Sequence, residues 1–303
     1  MTSPWSNATT QFSMRTLTFP NYREGMEPWT PADAARHIAV PAETDDKYSR
    51  GVLGVITGSD EYPGAAVIGV EAAARTGLGM VRYIGVPRAA DLVLARRPEA
   101  VLGMGRVHAW LIGSGAPTEG YQSDDADAAI AQGVPVVLDA GALELIARRT
   151  GPVVITPHCG ELARLLGAHS DEVAAAPAVW ARRAADELDV TVLLKGHSTY
   201  VAGPGIMLVA RSAPSWLATA GAGDALAGIL GALVATHARE IAGDDRMLAR
   251  LAATASVVHG LAAGRASAGG PLTIVDVAGR HTAAVPLTPA PRYYRLKLTT
   301  RPG

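Results

Sequence analysis

Asp224 follows a run of small residues that could hold an anion, and this segment carries the clearest chemistry of the chain. Residues 217–228 read Leu-Ala-Thr-Ala-Gly-Ala-Gly-Asp-Ala-Leu-Ala-Gly. Gly221 and Gly223 have no Cβ, so consecutive backbone N–H groups can face a phosphate, and the helix predicted to follow adds its positive N-terminal end. Asp224 could then accept a proton. An ordinary helix entry with Asp224 as its N-cap would explain the same residues.

Three weaker motifs also follow predicted strands. Residues 56–66, Ile-Thr-Gly-Ser-Asp-Glu-Tyr-Pro-Gly-Ala-Ala, would let a ligand approach the backbone, although they match neither a Walker A loop nor a G-x-G-x-x-G fingerprint. Residues 111–115 end one strand in glycines, and Asp139 ends another. Each of these motifs is also typical of a plain turn or cap.

Titratable side chains occur in two further loops. Residues 156–161 read Thr-Pro-His-Cys-Gly-Glu, in which His158 can donate or accept a proton near neutral pH and Glu161 begins a helix. A capping glutamate beside a surface histidine is the alternative. Lys195 comes directly after a buried strand and precedes Gly-His-Ser-Thr at 196–199. Its ammonium and the neighbouring hydroxyls could hold a nucleotide phosphate, whereas the alternative is an exposed lysine in a β-turn.

Short β-branched runs alternate with alanine-rich helical stretches from Gly51 onward. The predicted strands are 52–56, 81–86, 109–112, 134–138, 153–155 and 191–194, with a hairpin of edge strands at 199–202 and 206–210. The predicted helices are 65–75, 124–132, 143–149, 160–166, 177–188, 225–235, 247–263 and 276–284. This alternation predicts an α/β fold whose mostly parallel central sheet has helices on both faces and ligand loops at the carboxyl ends of its strands.

The sequence divides into one domain and two tails. Residues 1–47 are polar and proline-containing and are interpreted as an N-terminal arm, with a short helix from Pro31 after a Thr30 cap. Residues 48–285 form the α/β domain, and the proline-rich, basic residues 286–303 form a C-terminal tail.

Composition narrows the class of protein. Of 303 residues, 49% are hydrophobic but only 5% are aromatic, which indicates a core built from Ala, Val, Leu and Ile. The net charge of −1 gives no overall field for nucleic acid or an anionic membrane, so a small ligand is expected. The single cysteine, Cys159, excludes an intrachain disulfide. No signal peptide and no apolar stretch of about 20 residues is expected, so the predicted location is the cytoplasm.

Taken in order, these motifs resemble the ribokinase-like superfamily and, within it, the NAD(P)H-hydrate dehydratases, over about residues 45–280. The matching elements are Lys47, Arg50-Gly51, residues 55–59, 63–65, 75–79, Pro98-Glu99, 138–140, 156–161, 195–199 and 217–228. Three residues depart from the family pattern. Cys159 replaces the usual proline, Ala222 stands where Thr or Ser is common, and Pro117 replaces a third glycine after Gly113-Ser-Gly115.

The resemblance implies a carbon–oxygen lyase that repairs cofactors. Such an enzyme dehydrates the S-epimer of NADH hydrate and NADPH hydrate to NADH and NADPH, using ADP or ATP with Mg²⁺ and releasing phosphate. Asp224 would be the catalytic base, and the amides of Gly221, Ala222 and Gly223 would form an anion hole. The implied nucleotide-binding residues are Lys195, Gly196, His197, Ser198, Thr199 and Gly223. The implied hydrate-binding residues are Ala65, Gly115, His158 and Asp224.

The same resemblance implies a homo-oligomer, often a tetramer, and assigns no metal ligand. The 47 residues before the domain are too few for a second α/β fold, so no epimerase domain is expected there. Two alternatives stay open. One is a ribokinase-like kinase of a small alcohol or vitamin precursor, and the other is a catalytically silent nucleotide-binding module. The choice between ADP and ATP, and between the two hydrates, also stays open.

Overall fold

The computed structural model describes residues 26–113 and 121–279, and within them ten strands form one sheet. The strands are β1 (Glu27–Pro28), β2 (Val52–Ile56), β3 (Met80–Ile84), β4 (Val101–Leu102), β5 (Ala109–Ile112), β6 (Val136–Leu138), β7 (Val153–Ile155), β8 (Thr191–Leu194), β9 (Thr199–Gly203) and β10 (Ile206–Ala210). Their order is β1-β10-β9-β8-β7-β6-β5-β2-β3-β4. Strand β9 is antiparallel to β8 and β10, and the other described pairs are parallel. The predicted mostly parallel sheet is confirmed.

The hairpin of β9 and β10 is present, but its prediction as a pair of edge strands is wrong. Strand β9 lies inside the sheet, and β1 pairs in parallel with the outer side of β10, with Glu27 opposite Leu208. The backbone N–H of Trp29 also donates to the carbonyl of Val209 at 2.8 Å. The N-terminal segment therefore covers an edge that would otherwise expose unpaired backbone groups.

Helices cover both faces of the sheet. They are α1 (Pro31–Ala35), α2 (Pro63–Arg75), α3 (Pro87–Arg96), α4 (Tyr121–Ile130), α5 (Cys159–Leu166), α6 (Ser170–Ala175), α7 (Pro177–Leu188), α8 (Ala222–Thr236), α9 (Ala238–Ile241), α10 (Met247–Ser267) and α11 (Ile274–Gly279). Because side chains alternate along a strand, Leu53 and Val55 pack in one core with α2, α8 and α10. Val52 and Ile56 pack in the other core with α4, α5 and α7.

One segment predicted as an α-helix forms a 3₁₀ helix instead. The residues expected as an α-helix at 143–149 lie in a 3₁₀ helix, Ala140–Arg148. Ala140 has a φ of +49°, so the chain leaves β6 in the left-handed region. A 3₁₀ helix rises about 2 Å per residue instead of 1.5 Å, which lets a short segment span the crossover between neighbouring strands. Of the helix predicted at 276–284, the part after Gly279 lies outside the described residues.

Helix α10 is longer than predicted. At 21 residues it is the one described helix long and apolar enough to cross a membrane by length and composition, so the expectation of no such stretch is wrong. Its most apolar window is 72% buried within the protein, where it packs on the sheet and on α8. That burial is what a core helix shows.

The described part of the N-terminal arm packs on this core. The helix predicted after Thr30 is present, with the Thr30 hydroxyl oxygen accepting from the Asp33 backbone N–H in a capping box. Ala34 of this helix is fully buried. Trp29 donates its indole N–H to the Thr254 hydroxyl on α10 at 3.0 Å. The described part of the N-terminal arm therefore packs on the α/β domain that follows it in sequence.

A buried carboxylate joins α2 to the C-terminal end of α3. The side chain of Glu71 is 3% exposed and forms ion pairs with Arg75 at 2.6 Å, Arg96 at 3.1 Å and Arg97. Burial raises the pKa of this carboxyl, but hydrogen bonds from Arg97 and Arg75 and the charge of Arg97 lower it further. The pKa of Glu71 consequently falls from its ordinary 4.5 to about 2.

The Glu71 cluster gives a pH-dependent prediction. We expect Glu71→Gln to lower the free energy of unfolding by about 2 kcal/mol at pH 7, because hydrogen bonds to a charged group are lost. Since the folded-state pKa is depressed, this contribution is complete above pH 4.5 and is lost as the pH falls from there towards 2. Urea unfolding across that range should therefore show the two curves converging. The control Glu187→Gln, in an exposed pair with Arg183, should change stability by less than about 0.5 kcal/mol. A gap that persisted at low pH would contradict the assignment.

Candidate functional site

Three side chains meet where the neighbouring strands β6, β7 and β8 end. The ammonium of Lys195 lies 2.7 Å from Oδ1 of Asp139, and the hydroxyl of Thr156 donates to the same oxygen at 2.7 Å. The Asp139 side chain is 4% exposed and that of Lys195 is 20% exposed. The alternative of an exposed turn lysine is therefore wrong. A partly buried ammonium is held at the carboxyl edge of the sheet.

The first turn of α8 faces this ion pair. A Cβ placed on Gly223 would lie 3.5 Å from the Lys195 ammonium and 3.9 Å from Oδ2 of Asp139. The small residue thus leaves a gap between the helix N-terminus and the lysine. The helix N-terminus carries partial positive charge, which favours an anion in this gap. The Lys195 ammonium adds a positive charge, which its ion pair with Asp139 partly offsets.

The start of α8 is shaped by Gly221. This residue is the N-cap with a φ of +83°, and a Cβ there would lie 2.7 Å from Cδ1 of Ile68 on α2. Asp224 is the third residue of the helix, so the alternative in which it serves as the N-cap is wrong. Asp224 therefore lies in the first turn of α8, to which the predicted anion-binding amides also belong.

Helix α2 lies directly beside this turn. A Cβ on Gly69 would be 3.7 Å from the backbone oxygen of Asp224. Ala65 lies one helical turn before Gly69 on the same face, nearer the carboxyl edge, and is 9% exposed. The glycine at position 228 lets the two helices approach, since any Cβ there would collide with the carbonyl of Gly69. The predicted hydrate residues Ala65 and Asp224 thus come from adjacent helices.

His158 is the N-cap of α5. Its Nδ1 accepts from the backbone N–H groups of Gly160 at 3.0 Å and Glu161 at 3.2 Å, and the Glu161 carboxylate accepts from the His158 N–H at 2.8 Å. The local contacts are therefore those of a helix-capping pair, which was the alternative interpretation of this motif. With Nδ1 used as an acceptor, the proton of the neutral ring is on Nε2. The ring is 59% exposed, so it also presents a surface to a ligand.

The segment 195–199 lies beside this cap. The Lys195 N–H donates to the Pro157 carbonyl at 2.8 Å, and the ammonium is 3.8 Å from Oε2 of Glu161. Gly196 and His197 are exposed, Ser198 is half-buried, and Thr199 is buried as the first residue of β9. The polar turn is therefore accessible to a ligand while both of its ends are fixed in the sheet.

The structure brings together the predicted residues Lys195, Gly223, Asp224 and Ala65, with His158 next to them on the neighbouring loop. The predicted Gly115, and Pro117 with it, lie outside the described residues. Sequence reasoning gave no site role to Asp139 and Thr156, which fix the lysine. The sequence did contain a signal for both residues, because Asp139 and Thr156 each directly follow a predicted strand.

The structure gives no support to a nucleophilic role for Cys159. It is the first residue of α5, and burial raises the pKa of its thiol, which disfavours the thiolate that a nucleophile requires. Among the described residues, no group of three or more His, Cys, Asp or Glu side chains could hold a metal ion. A cation at this site would therefore need ligands from a bound molecule.

An open groove of about 890 Å³ lies at the opposite edge of the sheet. It is lined in part by Gly151 and Thr191 at the starts of β7 and β8, and by Asp189 and Asp244. None of the predicted site residues lines it. The size of this groove does not by itself make it a ligand-binding site. The charged groups that converge lie at the carboxyl edge of the sheet, where open α/β sheets bind their ligands.

A family model described as NAD(P)H-hydrate dehydratase matches residues 53–273, which is more than half of the chain. The chain is 36% identical over 228 residues to an ADP-dependent (S)-NAD(P)H-hydrate dehydratase of Xanthomonas campestris, covering 67% of this chain and 79% of that protein. It is 43% identical over 219 residues to a bifunctional NAD(P)H-hydrate repair enzyme of Mycobacterium tuberculosis, covering 67% of this chain and 45% of that one. It therefore spans about half the length of this second relative.

A similar solved structure is that of an ADP/ATP-dependent NAD(P)H-hydrate dehydratase from Bacillus subtilis, co-crystallised with ATP and Mg²⁺. The TM-score is 0.75 at 26% identity, covering 84% of this chain and 96% of that one. A ribokinase-like protein from Enterococcus faecalis has the same TM-score at 22% identity and supports the fold.

Proposed function

Since the chain belongs to the NAD(P)H-hydrate dehydratase family, we propose that it uses ADP or ATP to dehydrate the S-epimer of NADH hydrate and NADPH hydrate. The observation that carries this proposal is the gap between the Lys195 ammonium and Gly223, in the same helical turn as Asp224. An anion site with a carboxylate at its rim suits transfer of a phosphoryl group to a hydroxyl. The products are NADH or NADPH, phosphate, and AMP or ADP.

The first step is phosphorylation of the hydrate. Asp224 takes the proton of the C6 hydroxyl, whose oxygen forms a bond to the terminal phosphorus of the nucleotide as the bridging P–O bond breaks. The amides of Gly221, Ala222 and Gly223 stabilise charge on the transferred group, and the Lys195 ammonium balances charge on the phosphates. Asp139 and Thr156 position that ammonium.

The second step is elimination. The C6–O bond breaks and phosphate leaves with its electron pair, while the adjacent ring carbon gives a proton to water and the C–H electron pair forms the double bond of the dihydronicotinamide. Phosphate leaves far more readily than hydroxide, so the nucleotide makes a poor leaving group into a good one. Ala65 and His158 flank the position proposed for the hydrate ring, and Gly115 completes the hydrate set carried over from the family.

Magnesium fits the chemistry of this edge. Mg²⁺ prefers oxygen ligands and is commonly held through substrate phosphates with only one or two carboxylates, which agrees with the lack of a three-ligand cluster among the described side chains. Asp139 and Glu161 have carboxylate oxygens 2.7 Å and 3.8 Å from the Lys195 ammonium, and these two side chains would hold the magnesium ion, directly or through water. When bound, the ion neutralises phosphate charge.

The segment Lys195 to Thr199, with Gly196, His197 and Ser198 in its exposed turn, is proposed to hold the nucleotide together with Gly223. We also propose a homo-oligomer, a tetramer by family resemblance, a cytoplasmic location, and no nucleic-acid or membrane partner. The near-neutral charge supports the last point, because nucleic acid and anionic membranes attract strongly basic proteins.

The proposed function is tested by comparing the amount of phosphate released with the amount of NADPH formed. Purified protein with NADPH hydrate, Mg²⁺ and ADP should release one inorganic phosphate for each NADPH formed, as followed by phosphorus NMR and absorbance in parallel. A stable phosphorylated product with a small alcohol, and none of this turnover, would favour the kinase. Nucleotide binding without turnover of any acceptor would favour the silent module.

The anion gap gives a direct prediction. We expect Gly223→Ala to weaken ADP binding at least tenfold, because the added methyl would occupy the space 3.5 Å from the Lys195 ammonium. The fold should tolerate it, since that distance is ordinary contact. Gly221→Ala is the matched contrast, because its φ of +83° and its approach to Ile68 predict a loss of more than about 1 kcal/mol of stability. Calorimetric titration and urea unfolding separate the two effects, and normal ADP affinity in Gly223→Ala would contradict the gap as the phosphate site.

A further inference from the structure

The loop of residues 211–221 leaves the sheet beside the proposed nucleotide segment. It joins β10 to α8, and the last residue of β10, Ala210, is paired with Thr199, the last residue of that segment. Arg211 therefore begins the loop next to Ser198. The loop then ends at Gly221, the N-cap of the anion-binding helix. A molecule bound between Lys195 and α8 would consequently have this loop along one side.

Trp216 stands out in this loop because its side chain is 51% exposed. The other described tryptophans are engaged. Trp110 is fully buried, Trp29 donates to Thr254, and Trp180 has the guanidinium of Arg183 over its ring at 4.8 Å. Among the described residues, the Trp216 indole has neither a hydrogen-bond partner nor a ring contact. An exposed indole offers a large flat apolar face and one N–H donor to a ligand that reaches it.

The backbone under Trp216 is held in place. Ser215–Leu217 form a 3₁₀ turn after Pro214, with the Leu217 N–H donating to the Pro214 carbonyl at 3.0 Å. Leu217 packs on the core, and the loop touches α10 so closely that a Cβ on Gly260 would lie 2.6 Å from the backbone of Ser212. The indole is thus presented to solvent by a turn anchored from below, which reduces the ordering cost of binding.

We propose that Trp216 stacks on the purine base of the nucleotide co-substrate. This inference rests on the proposed function. With the phosphates between Lys195 and Gly223, the rest of the nucleotide extends along the segment 195–199, and the loop bearing Trp216 borders that path. A flat base offers a π-face to the indole, and stacking of this kind tolerates different purines. Trp216 is then a binding residue for the base and takes no part in the proton or phosphoryl transfers.

The test distinguishes binding of the purine base from binding of the phosphates. ADP and inorganic tripolyphosphate are titrated by calorimetry into the wild type and into Trp216→Ala, Trp216→Phe and the control Trp180→Phe. We expect Trp216→Ala to bind ADP roughly tenfold more weakly, and Trp216→Phe and Trp180→Phe to stay within about threefold of the wild type, as an aromatic ring is retained. Tripolyphosphate, which has no base, should bind all four proteins equally. ADP should also quench the tryptophan emission of the wild type and not that of Trp216→Phe.

The outcomes are distinguishable. Equal ADP affinity in Trp216→Ala and the wild type would overturn the stacking role while leaving the proposed function intact. Loss of tripolyphosphate binding in Trp216→Ala would also overturn it, because the indole would then act through the phosphate site. A change of oligomeric state in light scattering, with ADP affinity unchanged, would instead assign Trp216 to a contact between copies of the chain. Absence of both ADP and ATP binding by the wild type would refute the nucleotide site itself, and this inference with it.

Discussion

Replacing Asp224 with Asn is expected to slow formation of NADPH from its hydrate on the order of 10²- to 10⁴-fold, because the amide cannot take the proton of the attacking hydroxyl. Nucleotide affinity should stay within about threefold, since the backbone amides that face the phosphate are unchanged. The side chain lies in the first turn of α8 and keeps its size. Initial rates and ADP titration on the same preparations measure the two quantities separately.

A matched control is available in α11. Asp276 is also the third residue of its helix, and its exposed carboxylate accepts from the Thr273 hydroxyl at 2.7 Å. Ile274 of the same helix lies beside Gly221, so the control probes a carboxylate near the site that has no proposed chemical role. Asp276→Asn should change the rate less than about twofold. If the Asp224→Asn variant formed NADPH as fast as this control, Asp224 would not be the catalytic base.

The second large effect concerns Lys195. We expect Lys195→Met to weaken ADP binding by about 100-fold and to lower the free energy of unfolding by about 3 kcal/mol. The first effect follows from loss of the cation that faces the phosphates. The second follows because Asp139, 4% exposed, would keep a buried charge with only the Thr156 hydroxyl beside it. Calorimetric titration and urea unfolding measure the two effects.

The double variant Asp139→Asn with Lys195→Met separates these two roles. Removing both charges should restore most of the stability, because no uncompensated carboxylate is left in the interior. ADP affinity should stay low, since the cation is still absent. If the double variant bound ADP like the wild type, Lys195 would serve only to neutralise Asp139, and the anion gap would not be the nucleotide site.

Much of the fold follows from sequence patterns that burial dictates. The strands β2, β5 and β8 are short, apolar runs whose residues are all buried, as strands covered on both faces must be. Their alternation with helices is enough to predict a mostly parallel sheet. Strand β1 escaped prediction because it has only two residues, and its partner β10 lies about 180 positions away in sequence, a distance at which local propensity gives no signal.

The site was predictable in part. Gly221, Gly223 and Asp224 all lie at the start of one helix, and such a local arrangement is visible in sequence. The pairing of Lys195 with Asp139 joins residues 56 positions apart and depends on β6, β7 and β8 being neighbours in the sheet. The order of strands is a tertiary property. The capping contacts of His158 were visible as a motif, yet only the structure shows that its Nδ1 is occupied while its ring is exposed.

The activity proposed for this chain is repair of hydrated nicotinamide cofactors at the expense of a nucleotide. Its most direct test follows the absorbance of reduced nicotinamide after purified protein is added to the S-epimers of NADH hydrate and NADPH hydrate with Mg²⁺ and either ADP or ATP. We expect a rise that requires the nucleotide and is abolished in Asp224→Asn. No rise with any pair, from folded protein that binds ADP, would contradict it.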